Sequence, residues 1–80
     1  MNSRRQEILA GITEVAKTHV GWDGVLEMEM RLVEDLELDS LKSLTLALEV
    51  ENRFRVELDQ VEGIVTVGDL VDAIRERKDA

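Results

Sequence analysis

The sequence predicts an all-α fold, a small antiparallel four-helix bundle with three main helices, one short helix and a long loop between helices 1 and 2. Three segments carry apolar residues at the three- and four-residue spacing of a helix that is buried on one side. Proline is absent, which suits a helical chain. Only one segment alternates like a strand, and it has no convincing partner. With 80 residues, the chain (1–80) is expected to form a single domain.

The first helix is predicted over residues 3–20. Ser3 and Gln6 have the spacing of a capping box, in which each side chain satisfies a free backbone N–H at the helix start. The apolar stripe of this helix consists of Ile8, Ile12, Val15, Ala16 and His19 or Val20. Gly21 is a natural C-terminal stop.

Residues 22–38 follow the first helix and are predicted to be a long connection. Their apolar residues alternate with charged ones, at the period of a strand: Leu26, Met28, Met30 and Leu32. A lone strand would leave its backbone unpaired, so these side chains are expected to be pinned onto a helical core. Long loops in compact domains are often functional, which draws attention to the end of this one.

The second helix is predicted from Ser40 to about Arg53. One stripe holds Leu41, Leu44, Ala47 and Leu48, and a wider apolar arc adds Leu46, Val50 and Phe54. This arc predicts a helix that is buried on more than one side. Residues 56–63 form a connection, with one short helical turn expected after Asp59.

The last helix is predicted to start at Thr66, because Asp69 follows three residues later in a second capping pattern. Its inner face is expected to hold Val67, Leu70, Val71 and Ile74. Basic residues near its C-terminal end are expected to interact favourably with the helix dipole.

The net charge of −8 disfavours binding to nucleic acid and to anionic lipid, and it favours partner proteins with basic patches. Cysteine is absent, so the chain has no disulfide, thiolate nucleophile or thiolate zinc site. No apolar run approaches the ~18 residues of a membrane span. The N-terminal residues lack the apolar core of a signal peptide, so a cytoplasmic protein is expected.

The candidate catalytic and metal sites are weak. His19 is the single histidine and lies about twenty residues before Ser40, so a Ser-His-Asp hydrolase is disfavoured and no enzyme activity is expected. Asp35, Glu37 and Asp39 have the spacing that opens a calcium loop. However, the sixth position of that pattern is serine instead of glycine, and the twelfth is leucine instead of glutamate, so no metal site is predicted.

Ser40 has two interpretations. In the first, Asp39 or Ser40 simply caps helix 2. In the second, Ser40 is a point of attachment, because the free N–H groups and positive dipole end of a helix start stabilise a phosphate attached there. The residue spacing alone favours the helix cap, but it does not exclude either interpretation.

The segments "DLELDSLKSLTLALEVENRFRVEL" (35–58) and "VTVGDLVDAI" (65–74) resemble the acyl carrier protein family. Asp39-Ser40-Leu41 is similar to the attachment motif of that family. Asp35-Leu36, Phe54 and residues 66–74 resemble its flanking signatures. The similarity covers roughly residues 30–75, and the acidic charge and helical pattern agree with it.

The resemblance implies a carrier that is not an enzyme. A phosphopantetheinyl transferase would move 4′-phosphopantetheine from coenzyme A onto Ser40, with magnesium held by the transferase. The thiol of this arm would carry acyl groups as thioesters between enzymes of lipid, fatty acid or polyketide-type biosynthesis. A chain without cysteine would thereby acquire a thiol. A monomer is expected, because a carrier visits many partners.

An aliphatic bundle can open slightly and shelter an acyl chain, since soft side chains repack readily. The expected lining consists of Leu44, Leu48, Val50, Leu58, Ile64 and Val67, each of which also suits plain core. The acidic surface would steer association with basic docking patches on transferases and acyl-transferring or acyl-activating enzymes. The expected recognition residues are Asp39, Leu41, Lys42, Thr45, Glu49 and Glu51.

The sequence departs from the family pattern at several positions. Glu37 stands where carriers usually have glycine, and Glu49 where a small apolar residue is common. Lys42 and Thr45 occupy positions that are typically acidic in fatty acid carriers. These departures predict a specialised carrier that serves one dedicated pathway. An aminoacyl or peptidyl carrier, usually less acidic, and an unmodified acidic helical adaptor remain the alternatives.

Overall fold

The computed structural model describes residues 3–58 and 63–79. Within these residues the fold is all-α and has three α-helices: α1 (Ser3–Val15), α2 (Ser40–Phe54) and α3 (Val67–Asp79). A π-helical segment, Ala16–Val20, continues α1. The helical class is confirmed. The short fourth helix expected after Asp59 lies outside the described residues, so the four-helix bundle is not confirmed.

Helix α1 and the π-helical segment form the predicted first helix, although its last turn is wider than an α-helix. Four residues of the predicted stripe are buried: Ile8, Ile12, Val15 and Ala16. Val20 is half-buried, whereas His19 is exposed. Gly21 ends the helix in the left-handed conformation, with φ of 75°, and its N–H donates to the Ala16 carbonyl five residues earlier. The predicted stop is therefore confirmed.

The connection between α1 and α2 is bonded through its backbone to the start of α3. The Leu32 N–H donates to the Val65 carbonyl at 2.9 Å, and the Val67 N–H donates to the Met30 carbonyl at 2.8 Å. An isolated antiparallel bridge joins Arg31 to Thr66. The expectation of a connection without a pairing partner is therefore wrong. The sequence does not reveal this pairing, because the partner segment covers only a few residues before α3 and is too short to show the pattern of a strand.

The side chains of this connection pack as expected, since four of its leucines join the core: Leu26, Leu32, Leu36 and Leu38. Met28 and Met30 pack partly buried against that core. The connection therefore forms one wall of the domain.

The face of helix α2 that packs against the core is not the face that carries the main predicted stripe. Its buried residues are Leu46 and Val50. Leu41 is 72% exposed, Leu44 is 58% exposed and Leu48 is 50% exposed. The prediction of a helix buried on more than one side is therefore wrong, because these three leucines are exposed. An uncovered apolar stripe remains on the surface.

Helix α3 begins with the predicted capping box. The Asp69 N–H donates to the Thr66 hydroxyl at 3.1 Å, and the Asp69 carboxylate accepts from the Thr66 and Val65 N–H groups at 3.1 Å each. The predicted inner face is buried and consists of Val67, Leu70, Val71 and Ile74. Both predictions are confirmed.

The capping box makes the stability of the fold depend on pH, through the carboxyl group of Asp69. The backbone N–H groups of Thr66 and Val65 lower the pKa of the Asp69 carboxyl. A lowered folded-state pKa gives stability that is present above the unfolded value, about 3.9, and is lost as pH falls through the folded value.

We expect Asp69→Asn to weaken the acid dependence of the unfolding midpoint below pH ~4. Thermal unfolding at a series of pH values checks this. Asp23→Asn, in the exposed loop, is the control, and equal acid dependence in both variants would contradict the prediction.

Candidate functional site

Ser40 is the first residue of α2, and its side chain is exposed. The preceding residue, Asp39, is the N-cap, because its carboxylate accepts the Lys42 N–H at 2.8 Å. The Asp39 carbonyl also accepts the Ser43 N–H at 2.8 Å. Of the two capping residues that spacing allowed, the structure selects Asp39. The Ser40 hydroxyl is thus not needed to start the helix.

An apolar cleft of about 600 Å³ begins beside Ser40. It lies between α2, the connection before α2 and the start of α3. Its floor is formed by buried leucines, namely Leu32, Leu38, Leu46, Leu58 and Leu70. More exposed residues form its rim, namely Val33, Ser40, Ser43, Leu44, Ala47, Leu48, Glu51 and Ile64. Two of the exposed leucines of α2, Leu44 and Leu48, therefore border a space that can hold an aliphatic group.

The predicted pocket residues divide into two groups. Leu44, Leu48, Leu58 and Ile64 line the cleft. Val50 and Val67 do not, because both are fully buried in the core between the helices. Sequence reasoning missed the contribution of the connection, including Leu32, Val33 and Leu38. The alternating pattern that ends at Leu32 signals burial, but it does not show that the connection crosses the face of α2.

The acidic residues predicted for partner recognition on α2 make contacts within the chain. Glu49 Oε1 lies 3.4 Å from His19 Nε2, which links α2 to the π-helical segment. The Glu51 carboxylate accepts the Leu58 N–H at 2.7 Å. Both side chains are half-buried. Neither carboxylate is fully exposed, and these two are the only acidic residues of α2.

The other predicted recognition residues surround Ser40. Asp39, Leu41 and Lys42 are exposed, and Thr45 is half-buried. Lys42 forms no ion pair with a carboxylate of residues 3–58 or 63–79. The accessible surface next to the serine thus combines one cation, one cap carboxylate and an apolar stripe.

Glu37 has a φ of 55°. This left-handed conformation costs an L-residue about 1–2 kcal/mol, and glycine adopts it freely. We expect Glu37→Gly to raise the free energy of unfolding by about 0.5 kcal/mol, since the greater freedom of the unfolded chain offsets part of the gain. Chemical denaturation checks this value.

Glu37→Ala is the matched control for that prediction, because it removes the same carboxylate but keeps a Cβ. It should give no such gain. If alanine stabilises the protein as much as glycine does, the lost charge is responsible and the strain argument is wrong.

Within residues 3–58 and 63–79, the structure groups neither His19 with Ser40 nor carboxylates into a metal site. His19 contacts Glu49 and borders a separate depression with Glu14 and Arg53. No group of three or more histidine, aspartate or glutamate side chains suited to a metal ion occurs among the described residues. In the same part of the chain, no helix has the length and apolar character to cross a membrane.

Comparison with known proteins agrees with this geometry. The family model for the phosphopantetheine attachment site matches residues 6–74. The acyl carrier protein of Beutenbergia cavernae is 38% identical over 78 residues, covering 92% of this chain and 94% of the relative. The acyl carrier proteins of Tropheryma whipplei and Myxococcus xanthus are 31% and 33% identical, covering 92% and 88% of this chain and 94% and 92% of the relatives.

These proteins are carriers and not enzymes, and their prosthetic group is a covalently attached 4′-phosphopantetheine. They interact with phosphopantetheinyl transferases and acyl-handling enzymes. The match covers most of the chain, including the start of α2 and the cleft beside it. The chain therefore belongs to the acyl carrier protein family.

Proposed function

We propose that this chain carries 4′-phosphopantetheine on Ser40 and holds acyl groups that pass between enzymes of lipid, fatty acid or polyketide-type biosynthesis. The observation that carries the proposal is the position of Ser40, an exposed hydroxyl at the first residue of α2 and on the rim of an apolar cleft. One residue thus combines access for a partner enzyme with a route into an apolar space.

The residues around Ser40 fit this prosthetic group. The first turn of a helix leaves backbone N–H groups without intrahelical acceptors, and the helix dipole is positive there. A phosphodiester on Ser40 would be stabilised by this field. Asp39 already satisfies the Lys42 N–H, so the helix start is ordered before any modification. The cleft offers space for an aliphatic chain beside the same serine.

In the attachment reaction the Ser40 hydroxyl oxygen attacks the phosphorus of coenzyme A that bears the pantetheine arm. A new P–O bond forms on Ser40, the bond to the 3′,5′-adenosine diphosphate portion breaks, and the transferase takes the hydroxyl proton. When bound, the group supplies a thiol that holds an acyl chain as a thioester. Leu38, Leu46 and Leu58 offer that chain a floor shielded from water.

Partner enzymes would meet the surface next to Ser40. The net charge of −8 steers the chain toward basic patches on transferases and acyl-transferring enzymes, which raises association rates more than affinity. Asp39, Leu41, Lys42 and Thr45 would then form the local contact. A cytoplasmic monomer suits a carrier that visits several enzymes in turn.

The direct test is the intact mass after incubation with coenzyme A and a broad-specificity phosphopantetheinyl transferase. We expect a single phosphopantetheine increment, and fragmentation mass spectrometry should locate it on Ser40. Absence of an increment with several transferases would instead favour the unmodified acidic adaptor. Location on another residue would contradict the assignment of Ser40.

We further propose that this carrier serves one dedicated pathway instead of general fatty acid synthesis. Lys42 and Thr45 remove acidic charge from α2, while Glu49 and Glu51 are occupied by His19 and the Leu58 N–H. A basic docking patch therefore meets only two carboxylates along this helix, and both are half-buried. We expect the protein to fail to restore fatty acid synthesis when it is the sole carrier in a bacterial host. Restored growth, with the loaded protein verified by mass, would contradict the prediction.

A further inference from the structure

Glu51 is the one ionisable residue among the described residues that line the cleft. The remainder of that lining is aliphatic apart from Ser40 and Ser43. Glu51 lies eleven residues after Ser40 on α2. Eleven residues make about three helical turns and about 16 Å, so the two side chains fall on nearly the same line along the helix. Leu44 and Ala47 lie between them near this line, and Leu48 lines the cleft to one side of it.

The Glu51 carboxylate is held in place by its hydrogen bond from the Leu58 N–H, at 2.7 Å. Leu58 itself is buried and forms part of the cleft floor. The bond thus fixes a charge where α2 meets the segment that follows it. A chain that enters the cleft near Ser40 and follows the leucines would reach this charge after about three turns.

An alkyl end that packs against an ionised carboxylate removes water from the charge and returns no hydrogen bond, which is unfavourable. We propose that Glu51 closes the far end of the cleft and limits the length of the unsubstituted acyl chain that this carrier shelters. The inference rests on the proposed function, because the chain is delivered from Ser40. Carbons beyond the limit stay in water and add no stability.

The test loads Ser40 with saturated acyl-phosphopantetheine groups from butanoyl to tetradecanoyl, using the matching acyl-coenzyme A and a broad-specificity transferase. Intact mass verifies each loading, and thermal unfolding gives the Tm. We expect the Tm to rise by roughly 3 °C for each carbon that becomes buried and then to stop rising at a defined length.

Glu51→Gln keeps the size of the side chain and an oxygen that can accept the Leu58 N–H. In this variant we expect the Tm to continue rising for at least two further carbons. Glu57→Gln is the charge-matched control, since Glu57 is exposed and outside the cleft lining, and it should keep the wild-type limit. A limit that is the same in Glu51→Gln and wild type would overturn the inference, as would a wild-type Tm that rises without a limit.

A second measurement needs no variant. A chain of the limiting length that ends in an ammonium group should give wild-type protein a higher Tm than a methyl-ended chain of equal length. An equal or lower Tm would overturn the role of the Glu51 charge. If no acyl-phosphopantetheine can be attached at Ser40, the proposed function and this inference fail together. Successful loading with an unchanged limit overturns only the inference.

Discussion

Replacing Ser40 with alanine is expected to abolish the phosphopantetheine increment completely, because the variant lacks the only atom of that residue able to attack coenzyme A. The free energy of unfolding should change by no more than about 0.5 kcal/mol, as at an ordinary exposed site. The cap of α2 is Asp39, so the larger loss of a capping residue does not apply. Intact mass after loading and chemical denaturation measure the two effects separately.

Ser43 supplies a matched control for this prediction. It lies in the same first turn of α2 and also lines the cleft, so Ser43→Ala removes a second hydroxyl from the same surroundings. This variant should keep the full mass increment. Asp39→Ala should keep the attacking hydroxyl but lose about 1 kcal/mol of stability with the cap. An increment that survives in Ser40→Ala, or disappears in Ser43→Ala, would contradict the assignment.

The second large effect is expected from Leu46→Ala. Leu46 is only 3% exposed and lies in the core, so its truncation should cost about 2–5 kcal/mol. For a domain of this size, such a loss lowers the Tm by roughly 10 °C or more. It would remove a large share of the 5–15 kcal/mol that is usual for a folded domain. Thermal and chemical unfolding measure the loss.

The same substitution two residues earlier should behave differently. Leu44 is 58% exposed on the cleft rim, and Leu44→Ala should change stability by about 0.5 kcal/mol or less. The two variants make the same leucine-to-alanine change at two positions of one helix, so their comparison tests which face of α2 is buried. Similar losses in both variants would mean that Leu44 is also packed in the interior, as its spacing with Leu41 and Leu48 predicts.

The termini of the helices could be predicted from the sequence because they depend on local chemistry. Gly21 ends the first helix through its left-handed conformation, and Thr66 with Asp69 starts α3 through reciprocal hydrogen bonds. Asp39 and Ser40 were identified at the start of α2, although spacing did not distinguish the cap from the exposed hydroxyl. Each of these signals lies within a few neighbouring residues.

The buried face of α2 could not be predicted in the same way. Leucines occur on several sides of this helix, so periodicity does not distinguish Leu46 from Leu44 or Leu48. The contacts of α2 with α1 and with the π-helical segment decide which face is buried, and they depend on the whole fold. The cleft was predicted only in part for the same reason, since its second wall comes from Leu32, Val33 and Leu38 in the connection.

The backbone pairing between the connection and the start of α3 constrains which changes of chain length this domain can accept. Long surface loops usually tolerate insertions. Here Met30 and Leu32 are held in register against Val67 and Val65, so one added residue would turn the following side chains to the opposite face. Residues 22–25 carry no such pairing. Natural length variation and engineered fusions are therefore better accommodated there than between Met28 and Leu38.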